Sequence, residues 1–462
     1  MRYVSTRGQA PVLDFEGVTL TGLANDGGLY LPEEWPQFSH DQIAALRGVP
    51  YPELAARIMA PFTAGSLSQD DLLALCQQAY GGFSHAAVTP LVQLDEQHWL
   101  LELFHGPTLA FKDVALQLLG LLFERFLEKR ERPLTIIGAT SGDTGSAAID
   151  AVAGRKNVEI FMLHPEGRVS DIQRRQMTTV SAANVHNIAI AGSFDDAQAM
   201  VKRMFADRAL TDTLDIGAVN SINWARLMAQ VVYYFTSALQ LGGPERRIAF
   251  SVPTGNFGDV FAGHVAARMG LPIERLVVAT NVNDILHRAL SDGDYSAGDV
   301  TPTASPSMDI QVSSNFERLL FDVGGRDGVA MADQMRGFEG ARAMRLTDAQ
   351  RGGAALFASA RADAHDMAAA MRWAYEEAGE IIDPHTAIGL HAARLQDLPA
   401  TVPTVTLATA HPAKFRDAVE RATGTRPPLP TRVGDLFARE ERFDELPGDY
   451  EAVKAHILAK AR

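Results

Sequence analysis

The sequence predicts an α/β protein with largely parallel sheets, divided into more than one domain. Three observations carry that expectation. Strand-like, β-branched runs alternate with helix-like runs through most of the chain, the pattern of repeated strand–helix units. At 462 residues the chain exceeds what a single hydrophobic core usually serves. Turns rich in glycine and hydroxyls fall just after the strand-like runs, where open α/β sheets hold their ligands.

Taken in order, residues 1–95 are mostly loop and helix and read as a cap region. A helix is predicted after the segment Phe104-His105-Gly106-Pro107-Thr108-Leu109-Ala110-Phe111-Lys112-Asp113. Val114, Ala115, Leu118, Leu119, Leu122, Phe123, Phe126 and Leu127 recur there at helical spacing. Pro107 and Thr108 are its start signals, which places Lys112 in or near the first turn. A strand at 134–137 ends at Gly138, a helix spans 146–152, and a strand follows at 158–163. Further strands are predicted at 187–190, 247–251, 276–279 and 402–407. Residues 292–306 are polar, with glycine and proline, and read as a surface excursion. Pro427-Pro428-Leu429-Pro430 breaks the pattern and opens a C-terminal tail.

Lys112 is oddly placed. A cation in a first helical turn faces the positive end of the helix dipole, and Leu109, Ala110 and Phe111 would strip it of water. Both effects favour the neutral amine that a Schiff-base lysine needs. For a lone lysine, a solvated side chain snorkelling from a helix end is the simpler account.

Four turns compete with that account. Ser251-Val252-Pro253-Thr254-Gly255-Asn256-Phe257-Gly258-Asp259 follows a strand and opens a helix, so its amides can converge on a phosphate. Gly138-Ala139-Thr140-Ser141-Gly142-Asp143-Thr144-Gly145-Ser146 can bind a carboxylate or phosphate. Asp143 stands where a nucleotide-binding P-loop would carry lysine, which counts against a nucleotide triphosphatase. In Val219-Asn220-Ser221-Ile222-Asn223-Trp224-Ala225-Arg226, polar residues precede a helix with Arg226 one turn in. In Leu407-Ala408-Thr409-Ala410-His411-Pro412-Ala413-Lys414, Thr409 ends a strand where its hydroxyl can meet a heterocycle's nitrogen. Each turn by itself also has a plainer reading as an ordinary capped or structural turn.

The net charge of −14, without a sustained basic stripe, argues against nucleic acid. It leaves small anions open, because these feel local donors. No uninterrupted apolar run is long enough for a membrane span, and the first residues lack the apolar stretch of a secretory signal. The single cysteine, Cys76, excludes an internal disulfide and fits a reducing cytoplasm. No metal-ligand spacing is present, and Asp383-Pro384-His385 lacks that of a zinc pair.

Taken together these segments resemble the threonine synthase family in its long bacterial and fungal branch, pyridoxal-phosphate enzymes with the fold of the tryptophan synthase β-subunit. The likeness runs from Gly22-Leu23-Ala24-Asn25-Asp26-Gly27-Gly28-Leu29-Tyr30, through residues 307–318 and 383–387, to 409–415. It implies two open, largely parallel α/β domains: 96–215 with the Schiff-base lysine and substrate-carboxylate loop, and 216–425 with the cofactor-phosphate loop. The cap at 1–95 and a tail at 426–462 flank them. It implies Lys112 as the Schiff-base residue, with Gly255, Asn256, Phe257, Gly258 and Asp259 cradling the cofactor phosphate and Thr409 at the pyridine nitrogen. Thr140, Ser141, Gly142 and Thr144 would bind the substrate carboxylate, and Asn220, Ser221 and Arg226 the substrate's own phosphate. The implied reaction turns O-phospho-L-homoserine and water into L-threonine and phosphate, in a cytoplasmic monomer or homodimer. Asp143 departs from the wider fold family, where an asparagine contacts the cofactor's phenolic oxygen. A carboxylate there is repulsive unless a proton is shared. A serine or threonine dehydratase of the same fold and a non-catalytic ligand-binding protein are the rival readings.

Overall fold

Every side chain of the run Val158–Pro165 is buried, a pattern that parallel strands covered on both faces show and half-exposed strands do not. The computed structural model, which describes residues 1–128 and 133–461, places that run inside a parallel sheet. In chain order the strands are β1 (Tyr3–Ser5), β2 (Tyr30–Pro32), β3 (Leu91–Gln93), β4 (His98–Glu102), β5 (Leu134–Ala139), β6 (Val158–Pro165), β7 (Val185–Ile190) and β8 (Asp215–Gly217). They continue with β9 (Ile248–Pro253), β10 (Ile273–Thr280), β11 (Asp294–Ser296), β12 (Ala343–Arg345), β13 (Phe357–Arg361), β14 (Thr404–Ala408) and β15 (Asp444–Leu446).

Two sheets carry the architecture. The larger runs β13-β10-β9-β14-β4-β3 and the smaller β15-β7-β6-β5-β8. All pairings in them are parallel except β3 with β4 at one edge. The α/β class and the predicted strands are thus present, each within a few residues of its expected bounds.

Sheet membership departs from chain order at both ends. Strand β4 lies beside β14, with His98 opposite Thr404, so a division at residues 96–215 cuts across the larger sheet. The C-terminal segment is no loose tail: β15 extends the smaller sheet beside β7, and Tyr450, Val453 and Ile457 complete its core. Residues 292–306 are not all surface excursion either, since β11 pairs antiparallel with β12.

The N-terminal region shares the main core. Trp224 is fully buried, with the rings of Tyr3, Trp35 and Phe62 centred 5.9, 6.0 and 5.7 Å away. Losing such an anchor costs about 3–5 kcal/mol. Trp224 is also the first residue of the helix Trp224–Gln240, so this aromatic cluster fixes the helix end where Arg226 sits.

Candidate active site

The helix Lys112–Leu127 begins with Lys112 itself and has no side-chain cap. Thr108 is not its start signal. Its hydroxyl and amide both donate to the Asp113 carboxylate, at 2.6 and 2.8 Å, which folds the preceding loop back over the first turn. Residues 109–111 then run antiparallel to the segment after β14. Ala110 bridges Ala410, Phe111 N–H donates to Thr409 O at 2.8 Å, and His411 N–H donates to Leu109 O at 3.0 Å. These bonds set Lys112 beside Thr409 across three hundred residues of sequence.

Lys112 is buried, at 8% exposure, and its Nζ lies 3.6 Å from Asp143 Oδ2. Burial pulls its ammonium below the ordinary lysine range; Asp143 opposes this, while Lys414 and Arg226 add to it. Asp143 opens the helix Asp143–Val152 behind Gly142. Gly142 has φ +143°, and a Cβ there would sit 2.5 Å from Gln173. Only glycine therefore lets Gln173 Nε2 reach Asp143 Oδ1 at 2.8 Å. Lys414 Nζ meets the same oxygen at 2.7 Å. Burial alone would push the Asp143 carboxyl up, but Lys414, Lys112 and Gln173 together hold it well below the usual carboxylate range.

The remaining residues of that turn divide. Thr140 is buried and its hydroxyl accepts the amides of Gly142 and Gly145, at 3.0 and 2.9 Å, so it braces the loop. Ser141 is exposed and Thr144 half-buried, open to a ligand at a helix N-terminus.

After β9, the amides of Asn256, Phe257, Gly258 and Asp259 donate to no protein acceptor among the described residues and lead into the helix Gly258–Arg268. Phe257 adopts a left-handed φ of +62°, uncommon for a bulky residue. The rings of Phe316 and Phe357, centred 5.1 and 5.7 Å away, hold it there. At Gly255 a Cβ would meet Ser307 O at 2.4 Å, so this loop is pressed against its neighbour and tolerates no side chain. The Asp259 carboxylate turns away from the amide row to the hydroxyls of Tyr233 and Tyr234. Burial pushes it up to about 7.

Arg226 is 3% exposed, in the first turn of its helix behind the Asn223 cap. Its Nε and Nη1 are buried without a partner, and burial brings the guanidinium down to about 10. Asn220 Oδ1 accepts the Ile222 amide at 3.2 Å. Ser221 Oγ lies 3.5 Å from Ser314 Oγ.

One junction ties these loops together and was not foreseen from the sequence. Asn315 Nδ2 donates to Ser221 O at 3.1 Å and Asn256 O at 2.9 Å. Fully buried Arg318 bonds Asn315, Tyr30 O and Ile222 O. Two histidines near the site are structural. His411 Nδ1 accepts the Ala413 amide at 3.1 Å, and burial lowers its imidazole to about 4. His385 Nδ1 bonds Asp383 at 2.7 Å while Nε2 accepts the Ser307 amide at 3.4 Å.

The arrangement fits an anionic ligand bearing a carbonyl. A buried amine, a row of free amides at a helix N-terminus and a guanidinium with two unpartnered nitrogens lie near one another, with Thr409 beside the amine's helix start. Comparison with known proteins agrees. The family profile "Threonine synthase N terminus" matches residues 2–80, "Pyridoxal-phosphate dependent enzyme" matches 83–409, and "Threonine synthase, C-terminal" matches 386–457. The threonine synthase of Pseudomonas aeruginosa is 54% identical, over 99% of this chain and 98% of that one. The chain belongs to the threonine synthase family. A crystal structure described as PLP-bound threonine synthase from Brucella melitensis superposes with a TM-score of 0.98 at 51% identity, covering all of both chains. Threonine synthase from Escherichia coli superposes with a TM-score of 0.84 at 31% identity, over 99% and 100% of the two chains.

Proposed function

We propose that this chain converts O-phospho-L-homoserine and water into L-threonine and phosphate, with pyridoxal phosphate held at Lys112. The observation that carries the reading is the buried Lys112 amine set between a row of free amides and the unpaired Arg226. Gly255 to Asp259 hold the cofactor phosphate through backbone donors, the Asp259 side chain being engaged elsewhere. Thr409 offers the ring nitrogen a neutral hydroxyl. When bound, the cofactor supplies an electron sink for the charge that develops at the substrate's Cα.

The chain's own residues supply position and proton transfer. Ser141 and Thr144 orient the substrate carboxylate at a helix N-terminus, while Thr140, holding the Gly142 and Gly145 amides, keeps that turn in shape. Arg226, with Asn220 and Ser221, holds the substrate phosphate and receives it when the Cγ–O bond breaks. Lys112 Nζ, once free, takes the Cα proton and is placed to return one. The proton leaving Cβ passes to the departing phosphate. Cγ then takes the proton held by Lys112, and the water adding at Cβ gives up the one that returns to Cα. His385 has both ring nitrogens engaged, and His411 spends Nδ1 on its own turn. Among the described residues no helix is long and apolar enough to cross a membrane. We place the enzyme in the cytoplasm, as a monomer or homodimer.

The test is chemical. Borohydride treatment of the purified yellow protein should fix the cofactor to the peptide carrying Lys112, read by mass spectrometry. Parallel assays should yield phosphate and threonine from O-phospho-L-homoserine, with little turnover of serine or threonine. A colourless protein that pyridoxal phosphate fails to reconstitute would refute the assignment.

A further inference from the structure

A second amine lies in the site, and the reaction as derived does not use it. After β14 the chain passes Thr409 and Ala410 into the turn Pro412–Phe415, capped by His411. That turn drives Lys414 inward, to 2% exposure. Its Nζ donates to Thr108 O at 2.8 Å and meets Asp143 Oδ1 at 2.7 Å. Asp143 Oδ2 is left facing Lys112 Nζ at the longer distance of 3.6 Å. One carboxylate thus lies between two lysines and binds the farther-travelled one more closely.

We infer that Lys414 is a positioning residue whose ammonium offsets the Asp143 carboxylate, so that Lys112 faces a neutralised pair and can give up its proton. The inference rests on the role proposed for Lys112 and explains how a carboxylate is tolerated at position 143. Buried ions unscreened by water interact strongly, and a lone carboxylate beside Lys112 would hold that amine in its charged form. The groups facing Lys112 are Asp143, Lys414, Arg226 and Asp259, from four separate elements, and Asp113 on its own helix faces Lys414. Of these, Lys414 alone makes a close ion pair with Asp143 besides Lys112 itself. Gln173 fixes the carboxylate's orientation without adding charge.

The experiment uses Lys414→Met, Lys414→Gln and Lys414→Arg in the full chain. In the holoenzyme, the pH midpoint of the cofactor's visible absorbance reports protonation at the Lys112 nitrogen. In the cofactor-free chain, competitive acylation of the Lys112 peptide against pH reports the amine directly and does not depend on turnover. Both midpoints should rise by about one pH unit or more in the Met and Gln variants, as for a lysine gaining an uncompensated carboxylate, and stay close to wild type in the Arg variant. Gln can keep a hydrogen bond and lose only the charge, so it separates a bracing role from an electrostatic one. Unmoved midpoints in either neutral variant would overturn the inference. If neither folds, the wild-type chain decides: a Lys112 midpoint at or above that of an ordinary lysine refutes it. A failed cofactor assignment would abolish the absorbance while leaving the acylation measurement readable, so the two failures are distinguishable.

Discussion

Replacing Arg226 with methionine should weaken substrate binding and, in the same protein, strengthen the fold. Arg226 is buried with Nε and Nη1 unpartnered, so the ligand-free chain carries the desolvation cost of a charge without its return. Exchanging such an ion for an apolar side chain of similar length removes the penalty of its unmet buried donors, about 1–3 kcal/mol. A substrate phosphate accepting from the same two donors would recover that cost through charge-assisted bonds. Truncating one partner of such a buried pair costs about 2–5 kcal/mol. At about 1.4 kcal/mol per decade the KM for O-phospho-L-homoserine should rise at least roughly 30-fold. Cofactor affinity should hold, because no Gly255–Asp259 amide depends on Arg226. Thermal denaturation of the cofactor-free chain and steady-state kinetics of the loaded enzyme read the two halves. A variant that binds substrate normally moves the phosphate site elsewhere; one that melts earlier refutes the account of an uncompensated charge.

Lys112→Ala should abolish turnover and borohydride fixation while leaving the circular dichroism spectrum intact; retained turnover would remove its assigned role. Asn315→Ala strips a donor from both Ser221 O and Asn256 O, of which Asn256 O keeps the Asn315 amide, so the two loops lose ties worth about 0.5–1.5 kcal/mol each. Cofactor and substrate affinity should therefore fall together, unlike in the Arg226 variant, and a loss confined to one ligand would contradict the coupling. Asp259 rises from 3.8 to about 7 in the folded chain, so the fold binds a proton that the unfolded chain releases. Its stabilisation is full below the unfolded value and is lost as pH climbs through about 7. Asp259→Asn should accordingly gain about 2–3 kcal/mol on wild type between pH 5 and pH 8, and parallel pH–stability curves would refute the shift.

What could be read in the sequence depended on how local the signal was. The strands β6, β9 and β10 show as largely apolar, β-branched runs because both faces are covered along most of their length. Lys112 stands out because a cation, apolar neighbours and a helix start coincide within a few residues. Strand β15 has three residues, Asp444, Glu445 and Leu446; only its pairing with β7 makes it a strand, and pairing across such a distance leaves no local pattern. Thr108 misleads for a related reason: a threonine before a helix is an ordinary cap signal, and the Asp113 carboxylate that claims it lies in the following turn. Lys414 and Arg318 lie in segments that stand out, but nothing local marks their roles. Their weight comes from partners hundreds of residues away in Asp143 and Tyr30.

The placement of β14 has a bearing on how the enzyme is made. That strand, Thr404–Ala408, lies between β9 and β4, so the larger sheet stays in two pieces until residues 404–408 have left the ribosome. Thr409 and Lys414 arrive with the strand that joins those pieces. A nascent chain stalled before residue 404 would carry Lys112 and the amide row yet expose two unpaired strand edges to other chains. Synthesis therefore has to pass Lys414 before the cofactor can find a finished seat.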